Sequence, residues 1–162
     1  QGKVPVEQVE NAVRSFVKLG ITGLSLSDTT GMANPRQVYE LGTHMRQLFP
    51  QVQWVMHFHN TRDMALANIV AGIQAGVRLF DGAFAGLGGC PFAPGASGNV
   101  PTEDVIHMLH EMNIDTGIDL LKAMDTARMA AEFVGHPPGS AVIKAGRCVD
   151  LVKKKAEGQN NK

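Results

Sequence analysis

The chain has 162 residues, enough for one ordinary domain with a buried core. Its 15 Lys and Arg balance 15 Asp and Glu, so no basic patch points to nucleic acid and no acidic run to a solvating tail. Nothing approaches the roughly 18 consecutive apolar residues of a membrane span, and two cysteines, Cys90 and Cys148, are too few for a disulfide framework, which favours a reducing compartment.

The first residue is Gln1 rather than Met, and a helical pattern begins almost at once. No signal or transit peptide is visible, and with such a start that says nothing about targeting. Val6, Val9, Val13, Phe16 and Val17 recur at helical spacing and Gly20 stops the helix. A strand is expected over 23–27, ending at Asp28. Asn34 followed by Pro35 is a helix start, a capping residue before a proline preset for the first turn. That helix should run to about Leu48. Residues 52–58 read as a second strand. Ala65, Leu66, Ile69, Val70 and Ile73 mark a helix ending near Gly76, and 77–80 a third strand ending at Asp81. A glycine-rich loop covers 86–99. Val105, Ile106, Leu109 and Met112 mark one further helix. Leu120, Leu121, Met124, Ala127 and Ala131 mark another, stopped by Gly135, Pro137 and Pro138. Residues 151–162 read as a polar, frayed tail behind a domain of residues 1–150.

Helix alternates with strand three times, which implies a parallel sheet, because parallel strands need crossover helices. Three strands do not close a barrel. Either the sheet is a small three-layer sandwich, or the chain is part of something larger.

Each strand ends in a polar group: Asp28, the His57–His59 pair and Asp81. In parallel α/β folds, ligands bind at that edge. Residues i and i+2 of a strand point to one side, so His57 and His59 would aim two imidazoles together, as a metal chelate requires. The bland alternative is two histidines that meet only water. Cys90 sits in Gly86-Leu87-Gly88-Gly89-Cys90-Pro91, a glycine-rich loop expected to be mobile, where a reactive thiol is favoured over a structural one. Asn99 closes the loop and, on composition alone, reads as a turn residue. His44, His107 and His110 fall on expected helices and His136 follows a helix stop. These four read as structural or solvated, and Met108, Met112 and Met124 as core stripes.

The run from Ala85 to Phe92, Ala-Gly-Leu-Gly-Gly-Cys-Pro-Phe, followed by Pro94-Gly-Ala-Ser-Gly-Asn99, resembles the signature loop of 3-hydroxy-3-methylglutaryl-CoA lyases. Ser27-Asp28-Thr29, His57-Phe58-His59, the run Ala65 to Asn68 and Thr102-Glu103-Asp104 fall at family-like spacing around it. The resemblance extends from about Lys3 to about Cys148, and the wider group is the DRE-TIM metallolyases. It implies an α/β fold, the C-terminal half of a (β/α)8 TIM barrel, supplying about strands six to eight with their helices. It implies His57, His59 and Asn99 as ligands of a divalent cation, Mg²⁺ or Mn²⁺. It makes Cys90 the mobile-loop thiol, Asp28 an active-site carboxylate and Glu103 a supporting acid. The catalytic set is then Cys90, His57 and Asp28. The family's first strand carries an Arg-Asp pair, the Asp a fourth metal ligand and the Arg a partner of the thioester oxygen. These residues contain no counterpart to it.

The implied reaction is retro-Claisen cleavage of 3-hydroxy-3-methylglutaryl-CoA to acetyl-CoA and acetoacetate, a step of leucine degradation and ketone-body metabolism. The implied partner is a small acyl-CoA, with no nucleic acid and no membrane. A homo-oligomer, or pairing with the absent N-terminal half, is expected. The location implied is the cytoplasm in a bacterium or the mitochondrial matrix in a eukaryote. Asn60 in place of the usual Asp, Arg62-Asp63-Met64, and Ala83-Phe84 depart from the family pattern and bear on the choice of acyl group. Two other readings stand beside the lyase: a condensing synthase of the same fold, which Asn60 favours, and a non-catalytic half-domain that needs a partner chain.

Overall fold

The computed structural model describes residues 4–89, 95 and 98–150. Among these, residues 4–81 and 95 fall in one compact unit, and residues 82–89 with 98–150 fall in a second.

The first unit alternates helix and strand: α1 (Val6–Lys18), β1 (Gly23–Asp28), α2 (Pro35–Leu48), β2 (Gln53–Phe58), α3 (Ala65–Gln74) and β3 (Leu79–Asp81). The strands pair in chain order, β1-β2-β3, and every pairing is parallel. The start of α2 is fixed as its sequence demands. The Asn34 side chain accepts a hydrogen bond from the Gln37 backbone N–H, and Pro35 occupies the first turn. The third strand begins two residues later than its apolar run, because the Val77 N–H turns back to the Gly72 carbonyl instead of joining the sheet.

Burial alternates along β2. Trp54, Met56 and Phe58 are buried, whereas Val55 and His57 are half-buried. Met56 packs where α2 and α3 approach the sheet. A Cβ on Gly42 of α2 would lie 2.7 Å from its methyl, and one on Gly72 of α3 would lie 2.8 Å from its sulfur. A side chain at either position would have to displace the Met56 thioether, and at Gly72 the Phe80 ring as well. Burying such a side chain is worth roughly 1.5–3 kcal/mol.

The opposite face of the sheet carries two cross-strand rows, Ser25–Val55–Leu79 and Ser27–His57–Asp81. Ser25, Ser27, Leu79 and Asp81 are exposed. Parallel sheets are ordinarily covered on both faces, so this face is an interior surface without its opposing layer.

The second unit holds a 3₁₀ turn (Phe84–Gly86), α4 (Thr102–Glu111), α5 (Leu120–Val134) and α6 (Ala141–Ala145). Its core gathers Ile106, Leu120, Ala123, Met124 and Val142, with Ala85, Ala127 and Ala131 packed under Phe84 and Ile143. Met124 thus joins the expected stripe, but Met112 is exposed at the end of α4. The short α6 has no strong apolar period and escapes sequence reading. It is held by Asp104, whose carboxylate accepts from the Ser140 hydroxyl and from the Ala141 and Val142 N–H groups. Among the described residues, no helix is long and apolar enough to cross a membrane.

Candidate active site

The polar strand ends lie where the sequence puts them. Asp28 closes β1, His57 and His59 flank the last residue of β2, and Asp81 closes β3. The two imidazoles lie on one side of the strand, with ring centroids 5.2 Å apart. Register places Asp81 directly beside His57, and Oδ1 of Asp81 lies 2.5 Å from His57 Nδ1. A carboxylate only accepts, so Nδ1–H donates to it and the ring keeps its Nε2 lone pair for another partner.

His59 is buried, and its Nδ1 has no hydrogen-bond partner among the described residues. Burial first, and the His57 ring second, push its pKa below the usual histidine value, while the Asp28 charge opposes them. The ring is thus held neutral, as a metal ligand must be. The backbone N–H of His59 donates to the Asp28 carbonyl, extending the β1–β2 pairing by one bond.

Asp28 is more occupied than its position suggests. Its two carboxylate oxygens accept the Met32 and Ala33 N–H groups, each at 2.9 Å, and so brace the loop leading into α2. Asn60 also works locally: Oδ1 accepts from the Ala65 N–H at the start of α3, and Nδ2 donates to Asp63. Two side chains that sequence reasoning passes over fasten the strand-end loops together. The Arg62 guanidinium donates to the Thr30 and Gly31 carbonyls, and Asn68 Nδ2 donates to the Ala33 carbonyl. Asp81 is noted in the sequence as a polar strand end without a role, which only the register supplies.

Asn99 belongs to the second unit. Its Nδ2 donates to the Leu87 carbonyl at 2.8 Å, and its backbone N–H donates to the Gly88 carbonyl. This anchoring leaves Oδ1 buried without a partner among the described residues. In the same unit Glu103 is fully buried, and both of its oxygens accept the Ala85 N–H at 3.1 Å. Ala85 has φ 57°, a left-handed conformation that a residue with a Cβ rarely adopts. Glu103 thus holds a strained backbone just ahead of the glycine run. Burial raises its pKa above the usual carboxylate range, although hydrogen bonds to backbone N–H groups pull the other way. Cys90 lies outside the described residues.

The histidine pair at the end of β2 fits a divalent cation. In the first unit, an imidazole braced by a carboxylate and a buried imidazole with an orphaned nitrogen are donors of the type that holds such ions.

Residues 1–130 match the family model described as HMGL-like. The hydroxymethylglutaryl-CoA lyase YngG of Bacillus subtilis is 46% identical over 134 residues, which are 83% of this chain and 45% of that protein. The (R)-citramalyl-CoA lyase of Chloroflexus aurantiacus is 40% identical over 145 residues, 90% of this chain and 46% of its own length. Among solved structures, the HMG-CoA lyase of Acinetobacter baumannii, in complex with coenzyme A and 3-methylmalate, superposes with a TM-score of 0.87 at 46% identity, over 93% of this chain and 49% of that one. The chain spans about half the length of the relatives it matches. It belongs to the HMGL-like family, and its β/α units are part of that family's TIM barrel.

Proposed function

We propose that the protein carrying this chain is a divalent-metal-dependent lyase that cleaves 3-hydroxy-3-methylglutaryl-CoA, or a close 3-hydroxyacyl-CoA, to acetyl-CoA and a keto acid, acetoacetate in the first case. The reading places residues 1–150 in one partial barrel domain. Its main support is the His57–His59 pair at the end of β2, one ring braced by Asp81 and the other buried with an unpartnered nitrogen. The lyase names of the relatives agree with it.

In this reading His57, His59 and Asn99 hold Mg²⁺ or Mn²⁺, since an imidazole and oxygen donor set without thiolate suits those ions. When bound, the cation polarises the substrate hydroxyl and lowers its pKa. The chain's residues do the rest. A base takes the hydroxyl proton as the carbon–carbon bond breaks, and the bond's electron pair leaves as the acetyl-CoA enolate. Asp28 and His57 are the two candidates. Asp28 keeps lone pairs beyond the two that brace its loop, whereas His57 already gives Nδ1–H to Asp81 and would give Nε2 to the cation. The enolate carbon then takes a proton from Cys90, in the glycine-rich run that follows Ala85 and Leu87, which Glu103 and Asn99 hold. The names of relatives place such enzymes in bacteria, mitochondria and the cytoplasm. For this protein we propose the cytoplasm in a bacterium, or the mitochondrial matrix in a eukaryote.

The test is to incubate the full-length protein and Mg²⁺ with 3-hydroxy-3-methylglutaryl-CoA or citramalyl-CoA, with and without chelator. Metal-dependent release of acetyl-CoA from one of them is expected. Consumption of acetyl-CoA would instead identify a condensing synthase, and no turnover in either direction would sink the enzymatic reading.

A further inference from the structure

We propose that His107, Glu111 and Cys148 form a second metal site, remote in chemistry from the first and suited to Zn²⁺. His107 and Glu111 stand four residues apart on α4, so their side chains share one helix face. Cys148, an exposed free thiol in the helical turn at 148–150, supplies sulfur from the far end of the described chain. One imidazole nitrogen, one carboxylate oxygen and the thiol sulfur all lie within 4.8 Å of one another. Ligands of one tetrahedral zinc sit about 3.3–3.8 Å apart, given Zn–N and Zn–O near 2.0–2.2 Å and Zn–S near 2.3 Å. Small side-chain adjustments therefore close the site.

The surroundings leave these donors free. Neither the His107 ring nor the Glu111 carboxylate has a hydrogen-bond partner among the described residues. Their neighbours are already engaged. His110 pairs with the Thr116 hydroxyl, and Arg147, next to the thiol in the chain, makes two hydrogen bonds to Asp150, at 2.8 and 2.6 Å, which offset its charge. His107, His110, Glu111 and Arg147 line one recess of about 340 Å³, which leaves room for water at a fourth coordination position. Nitrogen, oxygen and sulfur donors together select zinc over magnesium. Occupied, the site would clip α4 to the segment that follows α6, with the ligands at 111 and 148 closing the intervening loop.

The experiment uses the purified full-length protein with Co²⁺ as a spectroscopic substitute for Zn²⁺. A thiolate-to-cobalt charge-transfer band in the near ultraviolet is expected in the wild type. It should vanish in Cys148→Ser and persist in Cys90→Ser. In competition with a chelator, His107→Ala and Cys148→Ser should each weaken Zn²⁺ binding by at least about 10–100-fold, the loss already caused by removing an outer partner of a ligand. Wild-type protein without the band, or a band that follows Cys90, would overturn the proposal. So would Zn²⁺ affinity unchanged in both variants.

Discussion

The Asp81 carboxylate accepts a 2.5 Å hydrogen bond from Nδ1 of His57 across neighbouring parallel strands, at positions that the sheet register makes adjacent. The pair resembles the carboxylate–histidine arrangement that orients metal-bound imidazoles. Asp81→Asn keeps the shape but can offer an amide N–H that competes for the wrong tautomer. Mn²⁺ affinity, measured by calorimetry or by the free-ion paramagnetic signal, should fall about 10–100-fold. Unchanged affinity would make the pair incidental.

His59 gives a pH dependence with a defined sign. Its folded pKa lies below the ordinary value, mainly through burial. Above about pH 6.5 the ring is neutral in folded and unfolded chains alike, and its contribution to stability is intact. As pH falls below that value toward the depressed folded pKa, the unfolded chain takes up a proton that the folded one resists, and the contribution is lost. Denaturant midpoints of wild type and His59→Gln should therefore converge as pH drops through this window.

Glu103 shows the opposite slope. Its pKa is raised by burial, so its contribution is greatest below the unfolded value and is lost as pH rises toward the folded one. Glu103→Gln, which keeps an acceptor for the Ala85 N–H, should flatten that slope. Glu103→Ala strands the N–H and opens a cavity, and should cost about 2–4 kcal/mol by chemical denaturation.

Cys90→Ala should lower kcat by about 100- to 10,000-fold, the range of a lost general acid, while changing KM far less. Steady-state kinetics on the full-length enzyme would read both. Unaltered turnover would remove the thiol from the mechanism.

The 162 residues expressed alone should not behave as a stable monomer and should show no lyase activity. The face bearing Ser25, Ser27, Leu79 and Asp81 is exposed, whereas parallel sheets are ordinarily covered on both faces, and a domain's total margin is only about 5–15 kcal/mol. Sedimentation and thermal melts at several concentrations test this. A concentration-independent monomer with a cooperative melt would refute the folding claim.

The sequence makes the alternation of elements legible, because apolar period and capping act locally. Asn34 and Pro35 open α2 where they should, and the three polar strand ends appear at the strand ends. What escapes depends on partners distant in the chain. Asp81 gains its role only through a neighbour 24 positions away, and α6 exists because Asp104, 36 residues before Ser140, caps it. On composition alone Asn99 reads as an ordinary turn residue, and only the family resemblance singles it out; the structure adds that its amide nitrogen is committed to Leu87. Arg62, a departure from the family pattern, is found binding two carbonyls of the preceding strand-end loop.

Met56 precedes His57 on β2, and its side chain enters a space kept open by hydrogen atoms alone at Gly42 and Gly72. Consecutive strand residues face opposite ways, so the backbone that sends the Met56 thioether between the helices presents the His57 imidazole on the other face. A side chain added to either helix at these glycines would therefore press on the strand that carries His57. Oxidation of this methionine would have the same effect from within: a sulfoxide needs room and a hydrogen-bond donor, and the two glycines offer neither.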